Sequence, residues 1–185
     1  MNRQLDLQQD NTLKTVTFFA ALCLFLSAVE YAIPKPLPFL RLGLANLPIM
    51  LAFGKLRFKH ITLLVILKTF GQAIISGTLF SYVFLFSVSG SFAACFGMSL
   101  VYYLFIWKKQ IPLASYIGMG LAGALFNTVA QFFVSTLIFF GTGASFIAPI
   151  LFCNGTITGL LLGFFAQHFV SKSKWYAMLS GGSVI

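Results

Sequence analysis

Three prolines in five residues, Pro34, Pro36 and Pro38, stand between two strongly apolar runs. Each lacks a backbone donor and locks φ, and each pushes the residue before it out of the α region. The stretch 33–46 is therefore no helix interior, yet it carries Lys35, Arg41 and Asn46. Non-helical backbone at membrane depth persists only where protein buries it or water reaches it. Two readings follow. The stretch is a connecting loop in the headgroup region, or it folds back as the lid or wall of a binding site.

The membrane setting comes from composition. Only 8% of the 185 residues are charged and the mean hydropathy is +0.95, whereas soluble domains carry about 25% charged residues. One helical bundle is the expected domain. The first apolar run reads as a retained span rather than a cleaved signal, because it has no small-x-small site and Glu30 lies near its end. The net charge of +9 does not imply nucleic acid, since the basic residues sit in short clusters between apolar runs. Cys23, Cys95 and Cys153 are isolated and read as small buried hydrophobes, with no metal-ligand spacing and no disulfide framework.

Six spans are expected: 14–33, 46–56, 61–76, 79–106, 112–140 and 146–170. Residues 1–12 form a polar tail expected to stay flexible in the cytoplasm, 13–172 the membrane domain, and 173–185 a second cytoplasmic tail. Asn46 suits the cap of the second helix, with Pro48 tolerated in its first turn. The second and third helices are short for a full crossing. Gly77 closes the third. With loops on alternating sides, one side receives Arg3, Lys14, Lys55, Arg57, Lys59, Lys108, Lys109, Lys172 and Lys174, and the other only Lys35 and Arg41. This bias places both termini in the cytoplasm of a cell-membrane protein and the proline-rich loop outside. The two charges of that loop oppose the bias, which favours a binding role for them.

An ionisable residue at membrane depth is a functional hypothesis by default. Lys68 and Gln72 share a helix face, and Asn127 and Gln131 repeat that spacing. With Glu30, Arg41, Asn46 and Asn154 they are the candidate lining of a polar pocket. The plainer readings stand beside this one. Intramembrane amides bond across helices as glue, Lys68 neutralises Glu30, or Glu30 snorkels to the outer interface. Thr17, Ala21 and Ala28 share a face of the first span, open to close approach by another helix. Gly155, Gly159 and Gly163, continued by Gln167, make a small-residue stripe for packing inside the bundle or for docking a partner. Enzymatic chemistry on diphosphates needs carboxylate clusters to hold Mg²⁺, and Asp6, Asp10 and Glu30 offer none. No phosphate-cradling Gly-Lys-Ser/Thr loop occurs, so the chain is not its own ATPase.

Ile33-Pro34 with Arg41-Leu42-Gly43-Leu44-Ala45-Asn46 resembles the loop after the first helix in the Gx transporter family, also labelled heptaprenyl diphosphate synthase component I. The resemblance continues in Ser76-Gly77-Thr78-Leu79-Phe80-Ser81, in Gly123-Ala124-Leu125-Phe126-Asn127 with Gln131, and in Pro149-Ile150 with Gly155, Gly159 and Gly163. It covers about residues 15–170. The family is similar in layout to the substrate-binding S components of energy-coupling-factor (ECF) transporters. That likeness implies six helices, cytoplasmic termini, a first loop that helps enclose the ligand, and dependence on a transmembrane coupling protein with two ATPase subunits. It also implies a docking role for small residues on the first helix, where S components typically carry an alanine pair. Thr17 and Ala21 hold such a spacing here.

The expectation is thus an all-α polytopic membrane protein, not an enzyme and without a cofactor. It binds a small organic molecule, vitamin-like and possibly flavin-like, for an ATP-driven uptake system. Its partners are the substrate, the ECF coupling protein and ATPases, and membrane lipid. The alternative is a non-catalytic membrane subunit of isoprenoid or quinone biosynthesis, or of redox assembly.

Overall fold

In a bilayer the backbone must satisfy its own hydrogen bonds, so apolar runs of this length become helices. The computed structural model describes residues 2–33, 43–106, 116–174 and 176. Helix α1 is Asn2–Ala32. A 3-10 turn, Leu44–Asn46, leads into α2, Leu47–Ala52. Helix α3 is Phe58–Ile75 and α4 is Tyr82–Val101, prolonged by a π-helical turn, Tyr102–Ile106. Helix α5 is Tyr116–Ser135, prolonged in the same way through Thr136–Phe140. A last 3-10 turn, Gly141–Gly143, opens α6, Ala144–Lys172. No strand occurs among the described residues.

Among the described residues, five helices are long and apolar enough to cross a membrane: Thr12–Ala32, Phe58–Ile75, Tyr82–Leu104, Tyr116–Ile138 and Ala144–Lys172. The polytopic helical bundle expected from the sequence is the architecture found. Helix α1 begins at Asn2, well before the apolar window. Helix α2 is the short one, with a rise of about 9 Å for its six residues against the roughly 30 Å of a hydrocarbon core. All six of its residues are buried. Pro48 sits in its first turn as expected, where its missing N–H has no partner to lose. Gly77 ends α3 in the left-handed region at φ 64°, and Thr78 N–H donates to the Ala73 carbonyl across the turn.

Helix α5 packs along both α4 and α6, and α1 packs on α3 and α2. The tight seam is between α5 and α6. A Cβ on Gly120 would collide with the Gly159 carbonyl, and one on Gly163 would meet the Ile117 Cα at 2.5 Å. The small-residue stripe of α6 is thus spent inside the bundle rather than kept as a docking face. Gln167 does not continue it: Gln167 is exposed and Ala166 is buried instead. Val16, Phe19, Cys23, Ser27 and Glu30 make the buried face of α1 at helical spacing. Thr17, Ala21 and Ala28 lie on its exposed face. Cys23 and Cys95 are buried as expected, but Cys153 is exposed, because α6 turns its glycine face inward and Cys153 lies away from it.

One end of the bundle collects aromatic rings and basic residues. Phe53 packs on Tyr102, Phe58 on Tyr103, and Phe169 on Tyr176. Lys55 Nζ lies 4.4 Å from the centre of the Tyr176 ring. Tyr176 donates its hydroxyl hydrogen to the Leu51 carbonyl at 2.8 Å, tying the segment after α6 to the end of α2. Aromatic rings beside cations are the usual furnishing of a membrane–water interface.

Candidate functional site

Several hydroxyls in the spans turn back on their own helix. Ser27 bonds the Cys23 carbonyl, Thr69 that of Val65, Thr156 that of Phe152 and Thr158 that of Asn154. This is the cheapest way to satisfy a short polar side chain in an apolar medium. The polar groups that reach between helices gather instead around Lys68.

Lys68 sits about 15 Å along α3 from its first residue and is 4% exposed. Its ammonium donates to Asn46 Oδ1 at 2.7 Å and to Ser91 Oγ at 2.9 Å, joining α3 to the start of α2 and to the middle of α4. Asn46 does occupy the residue before α2, but its side chain makes no capping bond. The expected cap is displaced because a buried ammonium is the stronger donor. Asn46 therefore fixes the short helix α2 against α3.

Glu30 is 1% exposed. It does not snorkel to the interface, since it points inward from α1 and its Oε1 accepts from the Gly43 N–H at 3.2 Å. The chain at Gly43 has φ 72°, a left-handed turn that glycine takes without strain. The proline-rich stretch thus returns into the bundle in its last residues: Gly43 and Asn46 line a cavity, and Ala45 is buried at its side. Residues 34–42, and with them Arg41 and Lys35, lie outside the described residues.

Two adjoining cavities occupy the meeting place of the α1–α3 and α4–α6 groups. The polar one, about 290 Å³ of free space counting its mouth, is walled by Glu30, Lys68, Gln72, Ser87, Ser91, Asn127 and Gln131 with Phe86, Gly43, Ala45 and Asn46. The other, about 560 Å³ on the same measure, runs between α2 and the α5–α6 seam. Met50, Met98, Leu47, Leu151 and Leu162 line it together with Gly120, Gly123, Gly155 and Gly159, with Asn154, Thr128 and Thr158 alongside. Gly43, Asn46, Asn127 and Gln131 belong to both walls, so the two spaces are neighbours sharing one partition.

Every candidate binding residue among the described residues lines one of these cavities: Glu30, Asn46, Lys68, Gln72, Asn127, Gln131 and Asn154. Gln131 Nε2 donates to Asn127 Oδ1 at 3.2 Å within α5. Gln72 Oε1 is buried with no hydrogen-bond partner. Sequence reasoning missed Ser87 and Ser91. Their spacing of four along α4 was the available signal, the same one that picked out Lys68 and Gln72. Among the described residues no group of three His, Cys, Asp or Glu stands together as a metal site.

The heptaprenyl diphosphate synthase component I family matches residues 19–169. The chain belongs to this family. The match runs from α1 to the last turns of α6, so it contains every cavity-lining residue named above. No curated protein and no solved structure matches the chain significantly. The family name denotes a component of a diphosphate synthase. In this component I chain the described acids are Asp6 and Asp10 in the first turns of α1 and the single buried Glu30.

Proposed function

We propose that the protein is a membrane substrate-binding component of an uptake system, holding a small organic molecule in the paired cavities. One observation carries this reading. Lys68, in the middle of a helix long enough to span the membrane, is held by Asn46 and Ser91 at the wall of a cavity that Glu30, Gln72, Asn127 and Gln131 also face. Helices α1, α3, α4 and α5 and the 3-10 turn before α2 contribute to one polar space at membrane depth. Placing charges and amides there is costly, and such sites mark ligand or ion pathways.

The proline-rich stretch enters this reading as the outer wall of the site, with Arg41 as a further contact to ligand. The end of the bundle that carries Lys55, Arg57, Lys59 and Lys172 is the cytoplasmic one under the positive-inside rule. The returning stretch at 43–46 and α2 together stand in for the remaining crossing, so both termini lie on that side, in the cell membrane. Energy for accumulation comes from a coupling protein and ATPase subunits, and Thr17, Ala21 and Ala28 on the exposed face of α1 are the docking residues. The chain itself is not an enzyme. Native mass spectrometry of the gently purified protein tests the central point. A small molecule that leaves in Lys68→Ala and Asn127→Ala variants supports it, and a protein that carries none from its native membrane sinks it.

The family name favours a second reading, a non-catalytic membrane partner in heptaprenyl diphosphate synthesis. Purification from native membranes separates the two. An ECF-type coupling protein in the complex supports uptake, and a prenyl-diphosphate synthase supports the alternative.

A further inference from the structure

Tyr176 lies beyond the last residue of α6, yet it is only 5% exposed. Its ring packs edge-on against Phe169 and carries Lys55 over its face. Its hydroxyl reaches the end of α2. The last carbonyls of a helix have no partner within that helix. At the end of α2 the N–H groups of Lys55 and Leu56 both donate to the Ala52 carbonyl, and the Leu51 carbonyl accepts from Tyr176 at 2.8 Å. The chain makes room for this bond at Gly54, where a Cβ would lie 2.7 Å from the Tyr176 hydroxyl and 3.4 Å from that of Tyr116. A residue 125 positions further along the chain thus caps α2.

The other end of α2 belongs to the site. Asn46, held by Lys68, stands in both cavity walls, and Leu47 and Met50 line the larger cavity. Met50 directly precedes Leu51, and Leu47 lies one turn before it. Six residues make fewer than two turns. A helix that short has little stability of its own, so α2 stands where its neighbours place it. A change of position at Leu51 is then a change in the cavity wall.

We propose that Tyr176 is a positioning residue for the binding site, acting through α2 on Asn46, Leu47 and Met50. The proposal rests on the binding reading above and adds that the walls of the site are set from the basic end of the bundle, by a residue outside them.

Hydrogen exchange read by mass spectrometry tests it on the full-length protein in lipid nanodiscs, with no ligand added. Tyr176→Phe keeps the ring and removes the bond. Amides of residues 43–50 are expected to exchange about two- to tenfold faster, the range set by the net worth of one hydrogen bond, while those of the α5–α6 seam keep their wild-type rates. Gly54→Ala sets a methyl against the hydroxyl and is expected to reproduce that pattern. It is expected to add little once Tyr176→Phe has removed the hydroxyl. Unchanged exchange at 43–50, with or without a rise at 51–56, overturns the proposal, because the bond then holds only its own turn. An equal rise in every helix overturns it too, since Tyr176 is then a general stabiliser. So does a Gly54→Ala effect undiminished in the Tyr176→Phe background. None of these readouts needs a bound molecule. Failure here is therefore distinct from failure of the binding reading, which the molecule carried from the native membrane decides.

Discussion

Lys68 Nζ lies 2.7 Å from Asn46 Oδ1, a bond between the middle of α3 and the residue that precedes a helix only six residues long. Helix α2 is too short to cross, so it is positioned from its two ends. Lys68 holds one, and Tyr176 holds the other through the Leu51 carbonyl. A ligand beside Lys68 therefore touches an element whose far end lies at the basic face of the bundle.

Removing the ammonium tests both roles of Lys68. A hydrogen bond to a charged group contributes about 1.5–3 kcal/mol, so Lys68→Ala is expected to weaken binding of the co-purified molecule roughly ten- to a hundredfold. Arg41→Ala is expected to act in the same direction. Affinity and thermal stability are to be measured together on these variants and on the paired Glu30→Gln, Lys68→Met protein. Recovery of full affinity in the paired protein would assign Lys68 to charge balance alone.

The α5–α6 seam leaves no room for side chains. Gly120→Val is expected to force the helices apart and to cost about 1–3 kcal/mol or more, read as a lowered midpoint in detergent thermal unfolding. Gly118→Ala is the control. The nearest atom to its new Cβ is a Val101 methyl at 3.9 Å, an ordinary contact, so the midpoint should hold.

Tyr176 gives a pH signature. Burial, with Tyr116 beside it at 3.4 Å, pushes its phenol well above the ordinary tyrosine value. The folded state thus keeps a proton that the unfolded chain releases near pH 10. The stabilisation is full below about pH 10 and is lost as the pH climbs toward the folded value. Unfolding midpoints should fall above about pH 10, less steeply in Tyr176→Phe, which should also lose about 1 kcal/mol near neutral pH. Parallel pH profiles for the two proteins would rule out Tyr176 as the source.

Orientation can be read by labelling. In a background without Cys23, Cys95 and Cys153, single cysteines replace Phe80, fully exposed in the turn after α3, and Lys59, exposed at the start of α3. An impermeant maleimide added to whole cells should label the first and not the second. Labelling of both would contradict opposite faces for these turns.

The exposed face of α1 predicts a separation of functions. Ala21→Trp should impair assembly with the coupling and ATPase subunits and leave ligand affinity unchanged. Accumulation of substrate in liposomes by this chain alone would refute dependence on them.

The membrane spans were legible in the sequence because transfer of apolar side chains into lipid is nearly independent of what they touch there. The pairing of Lys68 with Gln72 was legible too, since helical spacing alone puts residues four apart on one face. What Asn46 does was not. Capping is a local interaction and the sequence suggests it, but a buried ammonium arriving from α3 outcompetes a backbone N–H, and only the packing of α2 against α3 brings it there. The inward turn of Glu30 depended in the same way on the chain returning at Gly43 to meet it. Ser91 and Ser87 look like any hydroxyl that bonds its own helix until α3 and α5 are set beside α4. The sequence by itself determined a membrane bundle of apolar helices with a few expensive polar residues inside. The tertiary structure decided that those residues share one pair of cavities, because convergence of side chains from five helices is a property of packing and not of any single span.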